Sequence, residues 1–349
     1  MTWKKWRTLF LRQAVFKKNR LYIFMTSAQQ THQDRPVMKT AADALSLILN
    51  QAKTTNVIEK VDTQDALGRV LAEDILSKVD VPPADNTQMD GYAVRVADVT
   101  MNGIALKVAQ RIPAGHVGSF LEVGTAARIF TGAHIPPGAD AVVMQELCEL
   151  QNDQVTILEV PKIGQWIRVQ GEDLRIGLPA LKRGTLLRPQ ELGVAASAGY
   201  AQLPVYRKIK VATFFTGDEL TMPGQPLRPG SIYNSNRDTL LACLRSMGCD
   251  ATDLGVVPDT LEATRAALRL AAVDHDLVIT SGGVSVGEED HIKPAVMAEG
   301  HLDMWQIAIK PGKPLAFGVI KSATSDSQDQ TFFMGLPGNP VASYVTFLL

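Results

Sequence analysis

Between residues 39 and 80 the apolar and small positions Ala41, Ala42, Ala44, Leu45, Leu47, Ile48 and Leu49 recur at helical spacing, which predicts helix. The segment Asp65-Ala-Leu-Gly-Arg-Val-Leu-Ala-Glu-Asp74 then leads to Val81-Pro-Pro, where the chain breaks. From 82 to 173 the pattern changes to short alternating runs punctuated by Gly and Pro: Tyr92–Val96, Ile104–Ala109, Ala127–Phe130, Ala141–Met144 and Gln154–Val160. Such runs predict a small antiparallel β domain. Residues 174–205 return to mixed character, with a helix over 189–198 opening at Pro189. That return predicts that the β domain (82–173) is inserted into a discontinuous mixed linker domain built from 38–81 and 174–205.

From 206 onward strands and helices alternate. Val211–Phe215, Asp253–Val257 and Leu277–Thr280 read as strands; 237–247, Thr260–Ala272 and 291–298 read as helices, the first capped by Asn236. Leu261, Ala263, Ala267 and Leu268 share one helical face. Alternation of this kind predicts a three-layer, mostly parallel α/β domain over 206–349, so the fold class is multidomain α/β. Ligands of such sheets bind beyond the carboxyl ends of the strands. Those ends carry Thr216-Gly-Asp-Glu219, Val257-Pro-Asp259, Ser281-Gly-Gly-Val-Ser-Val-Gly287 and, further on, Lys310-Pro-Gly-Lys313.

Candidate chemistry concentrates at residues 277–290. An apolar strand enters a turn containing Gly282, Gly283, Ser285 and Gly287, then the acids Glu288, Glu289 and Asp290. Glycines without Cβ let backbone N–H groups approach an anion, and the acids suit a hard cation such as Mg²⁺. The plain alternative is a strand-to-helix turn whose acids are solvated in the first helical turn. Glu219 and Asp259 add carboxylates to the rim where Asp290 lies, and crowded carboxylates repel unless a cation or proton sits among them. Lys310 and Lys313 suit an oxyanion, with solvated surface lysines as the alternative. Leu336-Pro-Gly-Asn-Pro340 precedes an apolar helix whose N-terminus could face phosphate; a simple helix-starting turn reads equally well. Gly283-Val-Ser285-Val-Gly287 also matches the nucleophile elbow of hydrolases, but His291 and His301 come too early for the last member of a triad.

Composition narrows the classes. At 349 residues the chain exceeds one typical core. A net charge of −1 gives no reason to expect a nucleic-acid partner, and no apolar run is long enough for a bilayer. Cys148, Cys243 and Cys249 lack metal or disulfide spacing, which suits the cytoplasm. Residues 1–37 carry seven Lys and Arg before Met25 without an acid. They read as a disordered extension, or as sequence upstream of a start at Met25 or Met38.

The ordered set Met89-Asp90-Gly-Tyr-Ala, Phe130-Thr131-Gly-Ala, Gly171-Glu-Asp173, Thr216-Gly-Asp-Glu219, Ser281-Gly-Gly-Val-Ser-Val-Gly, Lys310-Pro-Gly-Lys313 and Leu336-Pro-Gly-Asn-Pro340 resembles the molybdopterin molybdenumtransferase (MoeA) family, to which the C-terminal part of gephyrin is similar. The resemblance runs from about residue 38 to the last residue. It implies that adenylated molybdopterin and molybdate are taken with Mg²⁺, that AMP is cleaved off, and that molybdenum stays on the pterin. By position, Asp90, Thr131, Asp173, Glu219, Asp259, Asp290 and Lys310 match functionally important positions. Glu219, Asp259 and Asp290 would place Mg²⁺; Lys310 and Lys313 would bind molybdate or phosphate. Ser281, Gly282, Gly283, Ser285 and Gly287 would cradle the pterin phosphate, with Pro337, Gly338, Asn339 and Pro340 beside them. The resemblance also implies a homodimer through the linker domain, each cleft drawing Asp90 and Thr131 from the partner. A further implied partner is molybdopterin adenylyltransferase.

Three departures from the family pattern stand out. The family continues into a further β domain, whereas this sequence stops at Leu349 inside the helix after Leu336-Pro-Gly-Asn-Pro, so a fragment with impaired activity is expected. Gln306 stands where many members have lysine, and Ala342 replaces a serine, with Ser343 one place later. Two other readings remain: a molybdopterin adenylyltransferase, whose α/β domain is similar, and a non-catalytic gephyrin-like scaffold.

Overall fold

A computed structural model describes residues 38–284, 290–321 and 330–349. Ser285, Gly287, Glu288, Glu289 and the basic residues before Met25 lie outside the described residues.

The helix expected through 39–80 is a single element, Ala41–Gln51. Thr40 caps it, accepting from Asp43 N while Asp43 reaches back to Thr40 N. It ends because the β-branched run Thr54-Thr-Asn-Val-Ile58 favours extended backbone, and the chain enters the strand Ile58–Asp62. That strand pairs antiparallel with Gln202–Tyr206. Ala66, Leu71 and Ile75 share a core with Leu187, Ala195, Leu203 and Val205. Two stretches on either side of the β domain therefore bury one another. Helix Ala41–Gln51 packs elsewhere: Ala44, Leu47 and Ile48 join the core of the α/β sheet.

The β domain holds a six-stranded sheet in the order Ala141–Met144, Gly91–Val94, Thr125–Ile129, Ile104–Ile112, Gln154–Ile157, Cys148–Gln151. It is not wholly antiparallel. Ile104–Ile112 and Thr125–Ile129 run parallel, since the connection over 113–124 is long enough to cross back rather than turn tightly. Both faces are covered: Tyr92 and Val94 point into one core and Ala93 into another.

The third region is a six-stranded sheet in the order Asp250–Val257, Lys210–Thr216, Leu277–Ser281, Gln330–Leu336, Pro314–Lys321, Gly300–Gln306. The first four are parallel, while Pro314–Lys321 runs against both of its neighbours. Helix Ser235–Ser246 covers one face through Leu240 and Leu244. Helices Leu261–Ala271 and Ile292–Glu299 cover the other through Ala267, Leu268, Ala295 and Val296. The result is three layers. Asn234 caps the first of these helices, its Oδ1 accepting from Arg237 N at 3.2 Å; Asn236, expected as the cap, lies inside the first turn.

At the amino end of the sheet Asp276 ties two entering strands together. Its carboxylate accepts a fork of bonds from Arg207 at 2.7 and 2.6 Å and another from Lys210 N at 2.8 Å. Burial alone would push this carboxyl up, but Arg207 and the Lys210 N–H outweigh it and hold it below the usual range. A depressed carboxyl stabilises the fold above its unfolded pKa and loses that contribution as pH falls through the folded one. Asp276→Asn is expected to lower unfolding free energy at pH 7 by about 1–2 kcal/mol. The gap from wild type should close below about pH 4, as urea unfolding at several pH values would show.

Candidate active site

In an open α/β sheet a crevice opens where neighbouring strands send their connections to opposite faces. Here the chain leaves Lys210–Thr216 through helix Ser235–Ser246 on one face. From Leu277–Ser281 it goes on to helix Ile292–Glu299 on the other. The crevice therefore lies between the ends Thr216-Gly217 and Ser281-Gly282-Gly283.

Backbone closeness makes the glycines obligatory there. Gly282 has φ +103°, and a Cβ on it would meet Thr216 O at 2.4 Å. Gly283 has φ +62°, and its Cβ would meet Thr216 Oγ1 and Ile292 Cγ1, each at 2.9 Å. Gly338 joins from the next strand: a Cβ built on it would sit 3.7 Å from Gly282 Cα. Asn236 Nδ2 donates to Ser281 Oγ and to Gly338 O, both at 2.8 Å, and Ser281 Oγ donates to Pro337 O at 2.8 Å. Asn339 caps helix Pro340–Phe347 by accepting from Ala342 N at 3.0 Å. Thr216 Oγ1 is buried with no partner among the described residues.

Acids gather at the same rim. Asp259 lies just past the end of Asp250–Val257, and its Oδ1 is buried without a partner among the described residues. Burial raises its carboxyl above the usual range; Asp218, Asp290 and Glu219 push the same way, while His291 pulls against them. The Glu219 carboxylate folds back over Gly217, where a Cβ would meet its Oε2 at 2.6 Å. Among the described residues, no three such side chains stand close enough to hold a metal ion by themselves.

Because Gly300–Gln306 runs with the parallel strands and Pro314–Lys321 against them, the 307–313 loop turns at this rim. Ile307 N bonds Lys313 O at 2.9 Å and closes it. Gly312, at φ +108°, packs on helix Pro340–Phe347 so tightly that a Cβ would meet Thr346 Cγ2 at 2.6 Å. Lys310 and Lys313 are exposed.

The remaining candidates lie on the β domain. Asp90 Oδ1 accepts from Thr131 N and Thr131 Oγ1, each at 2.7 Å, and these bonds hold its carboxyl below the usual range. Asp173 pairs with Arg168. Thr131 and Arg168 line one cleft of about 350 Å³ with Thr87, Gln88, Gly132 and Glu172. The candidates thus fall into two groups on two folding units. Ser285 and Gly287 lie outside the described residues. Arg168 and the cross-linking role of Asn236 were not anticipated. The sequence marks Thr216 as the start of the Thr216-Gly-Asp-Glu219 rim motif without assigning its hydroxyl a part, and His291 only as too early for a triad.

Residues 39–199 match the family model described as "MoeA N-terminal region (domain I and II)", and residues 212–349 match the one described as "Probable molybdopterin binding domain". The chain is 44% identical over 314 residues to molybdopterin molybdenumtransferase of Haemophilus influenzae, covering 89% of this chain and 75% of that one. It is 38% identical over 318 residues to the protein of that name from Nostoc sp., covering 89% and 72%. A crystal structure of a molybdopterin biosynthesis MoeA protein from Pyrococcus horikoshii superposes with a TM-score of 0.76 at 30% identity, covering 89% of this chain and 77% of that one.

Gly282→Ala is expected to cost at least about 2 kcal/mol, since left-handed strain and a backbone collision add. Gly230 has φ +79° with open space where a Cβ would stand, and Gly230→Ala should cost about 1 kcal/mol. Urea midpoints of the two variants would measure the difference, and equal midpoints would refute the close approach.

Proposed function

The chain belongs to the molybdopterin molybdenumtransferase (MoeA) family, and from that premise we propose that the rim of the α/β sheet and the β-domain group around Asp90 together insert molybdenum into adenylated molybdopterin with release of AMP. The chain is a transferase of molybdenum cofactor biosynthesis. The observation that carries the assignment of the site is the packing of Thr216, Ser281-Gly282-Gly283 and Gly338 at the sheet's crossing point. There the Gly282 N–H is donated to Leu336 O, and Gly283, without a Cβ, would let its backbone approach a phosphate without a side chain intervening. The family match across residues 39–199 does not favour the adenylyltransferase reading, which needs only the α/β domain.

The resemblance implies Mg²⁺, and the donors fit it. Asp259 offers a buried oxygen without a partner among the described residues, with Glu219 and Asp290 nearby. Mg²⁺ takes few protein carboxylates and completes its shell with water and substrate phosphates, so a rim lacking a three-donor cage suits it. When bound, the ion would offset charge building on the phosphate that leaves. Asp259 contributes by holding its oxygen dry and close to the rim. Lys310 and Lys313 present ammonium groups from a loop braced at both ends, suited to an incoming oxyanion.

Asp90, Thr131 and Asp173 enter this reading through a second copy. Asp90 and Asp173 are each held in one geometry by a local partner, which is what a group reaching a neighbour's cleft requires. A homodimer that places the β-domain cleft over the partner's rim would unite the two groups. The cytosol is the proposed compartment, supported by three free thiols. No helix among the described residues is long and apolar enough to cross a membrane.

The test is AMP release from adenylated molybdopterin with Mg²⁺, with and without molybdate. Stimulation by molybdate is expected; failure to release AMP despite intact pterin binding would overturn the catalytic assignment. Asp259→Asn should lower kcat by about 10²-fold or more, as expected for losing a group that acts where charge develops. Lys310→Gln should raise the molybdate concentration needed for half-stimulation by about tenfold, the loss of one charge-assisted contact.

A further inference from the structure

We infer that Asn236 is a positioning residue of this rim, one that fixes the spacing between the two glycine loops through both hydrogens of its amide. The inference rests on the transferase reading for its substrate.

Asn236 is free for this role because the cap of its helix is supplied by Asn234. It sits inside the first turn of Ser235–Ser246, with a side chain 9% exposed. One amide nitrogen donates to two segments that come from different strands: the Ser281 hydroxyl at the end of Leu277–Ser281, and the Gly338 carbonyl just past Gln330–Leu336. The Ser281 hydroxyl, 3% exposed, passes the link on to Pro337 O. A closed ring of three bonds therefore joins the helix, the Ser281-Gly282-Gly283 turn and the Pro337-Gly338 turn.

The ring matters because each of its anchors opens into a segment with phosphate-binding character. Gly282 and Gly283 come directly after Ser281, and Asn339, with the helix it caps, comes directly after Gly338. The Gly282 N–H is donated to Leu336 O. Gly283 and the first turn of helix Pro340–Phe347 carry N–H groups of the kind that bind phosphate oxygens, and their use on one phosphate depends on separation. Strand pairing sets the separation as far as Ser281 and Leu336, with Gly282 N donating to Leu336 O at 3.2 Å. Beyond that bond glycine opposes glycine without side-chain packing, and the Asn236 amide supplies the link to Gly338. An aspartate would keep the shape but not the hydrogens: one carboxylate oxygen would face the Gly338 carbonyl, acceptor against acceptor.

The test compares wild-type protein with Asn236→Asp, Asn236→Ala and Ser281→Ala. It uses pterin fluorescence for the Kd of adenylated molybdopterin, AMP release for kcat and KM, and a thermal midpoint for each. Loss of the link is expected to raise Kd and KM by about tenfold or more in Asn236→Asp and in Asn236→Ala, with kcat at saturation within about threefold of wild type. Ser281→Ala removes the relay from the other side and should raise Kd alone, yet add less than about twofold when combined with Asn236→Ala. If these variants bind the pterin within about twofold of wild type while their midpoints fall, Asn236 serves the fold only and the inference is overturned. A wild-type protein that fails to bind the pterin would instead overturn the transferase reading itself.

Discussion

The rim depends on how closely three stretches of backbone approach one another at Thr216, Gly282 and Gly338. A Cβ on Gly282 would meet Thr216 O at 2.4 Å, so a side chain there would force these two segments apart, whereas one on Gly338 would stand at contact distance, 3.7 Å from Gly282 Cα. Absence of Cβ at two neighbouring strand ends lets the backbones approach closely, and it also removes side-chain contacts that would otherwise help the strand pairing set the spacing. Hydrogen bonds from Asn236 and Ser281 take over that task. They can do so because both side chains are buried, where water competes least.

Electrostatics at the rim is arranged as a division rather than a mixture. Asp218, Glu219 and Asp290 stand near Asp259, whose carboxyl is raised first by burial and then by these acids. The lysines stand on another loop, made possible by the one strand that runs against its neighbours. Had Pro314–Lys321 been parallel, the rim would have met a strand end there and a helix would have had to come next. Reversal lets a short closed loop present two exposed cations. A charged substrate would thus meet acids suited to a cation on one side and lysines suited to an oxyanion on another.

Residues whose identity is dictated by the backbone were the legible ones. Gly282, Gly283 and Gly312 each occupy a place where a side chain would collide and φ is positive, and motifs built on them can be read without a structure. The helix starting after Asn339 was visible for the same reason. Elements held by distant partners were not legible. Gly300–Gln306 mixes His, Asp and Gln among apolar residues and becomes a strand only because Pro314–Lys321 lies beside it. The parallel pairing inside the β domain depends on a long connection rather than on any turn residue. Asn236 misleads because an Asn near a helix start has a local explanation that is usually sufficient; here Asn234 has already taken it.

Helix Ala41–Gln51 packs into the α/β core through Ala44, Leu47 and Ile48, whereas the residues right after it build the core of another region. The boundary suggested by order along the chain, near residue 206, is therefore not a line along which the molecule can be cut. An excised 206–349 segment would keep the cover of Leu240 and Leu244 but lose Ala44, Leu47 and Ile48 from this cluster, leaving an apolar gap that invites self-association. Gene dissection or fusion design based on this α/β unit would have to carry the distant helix along, or replace it with another amphipathic cover.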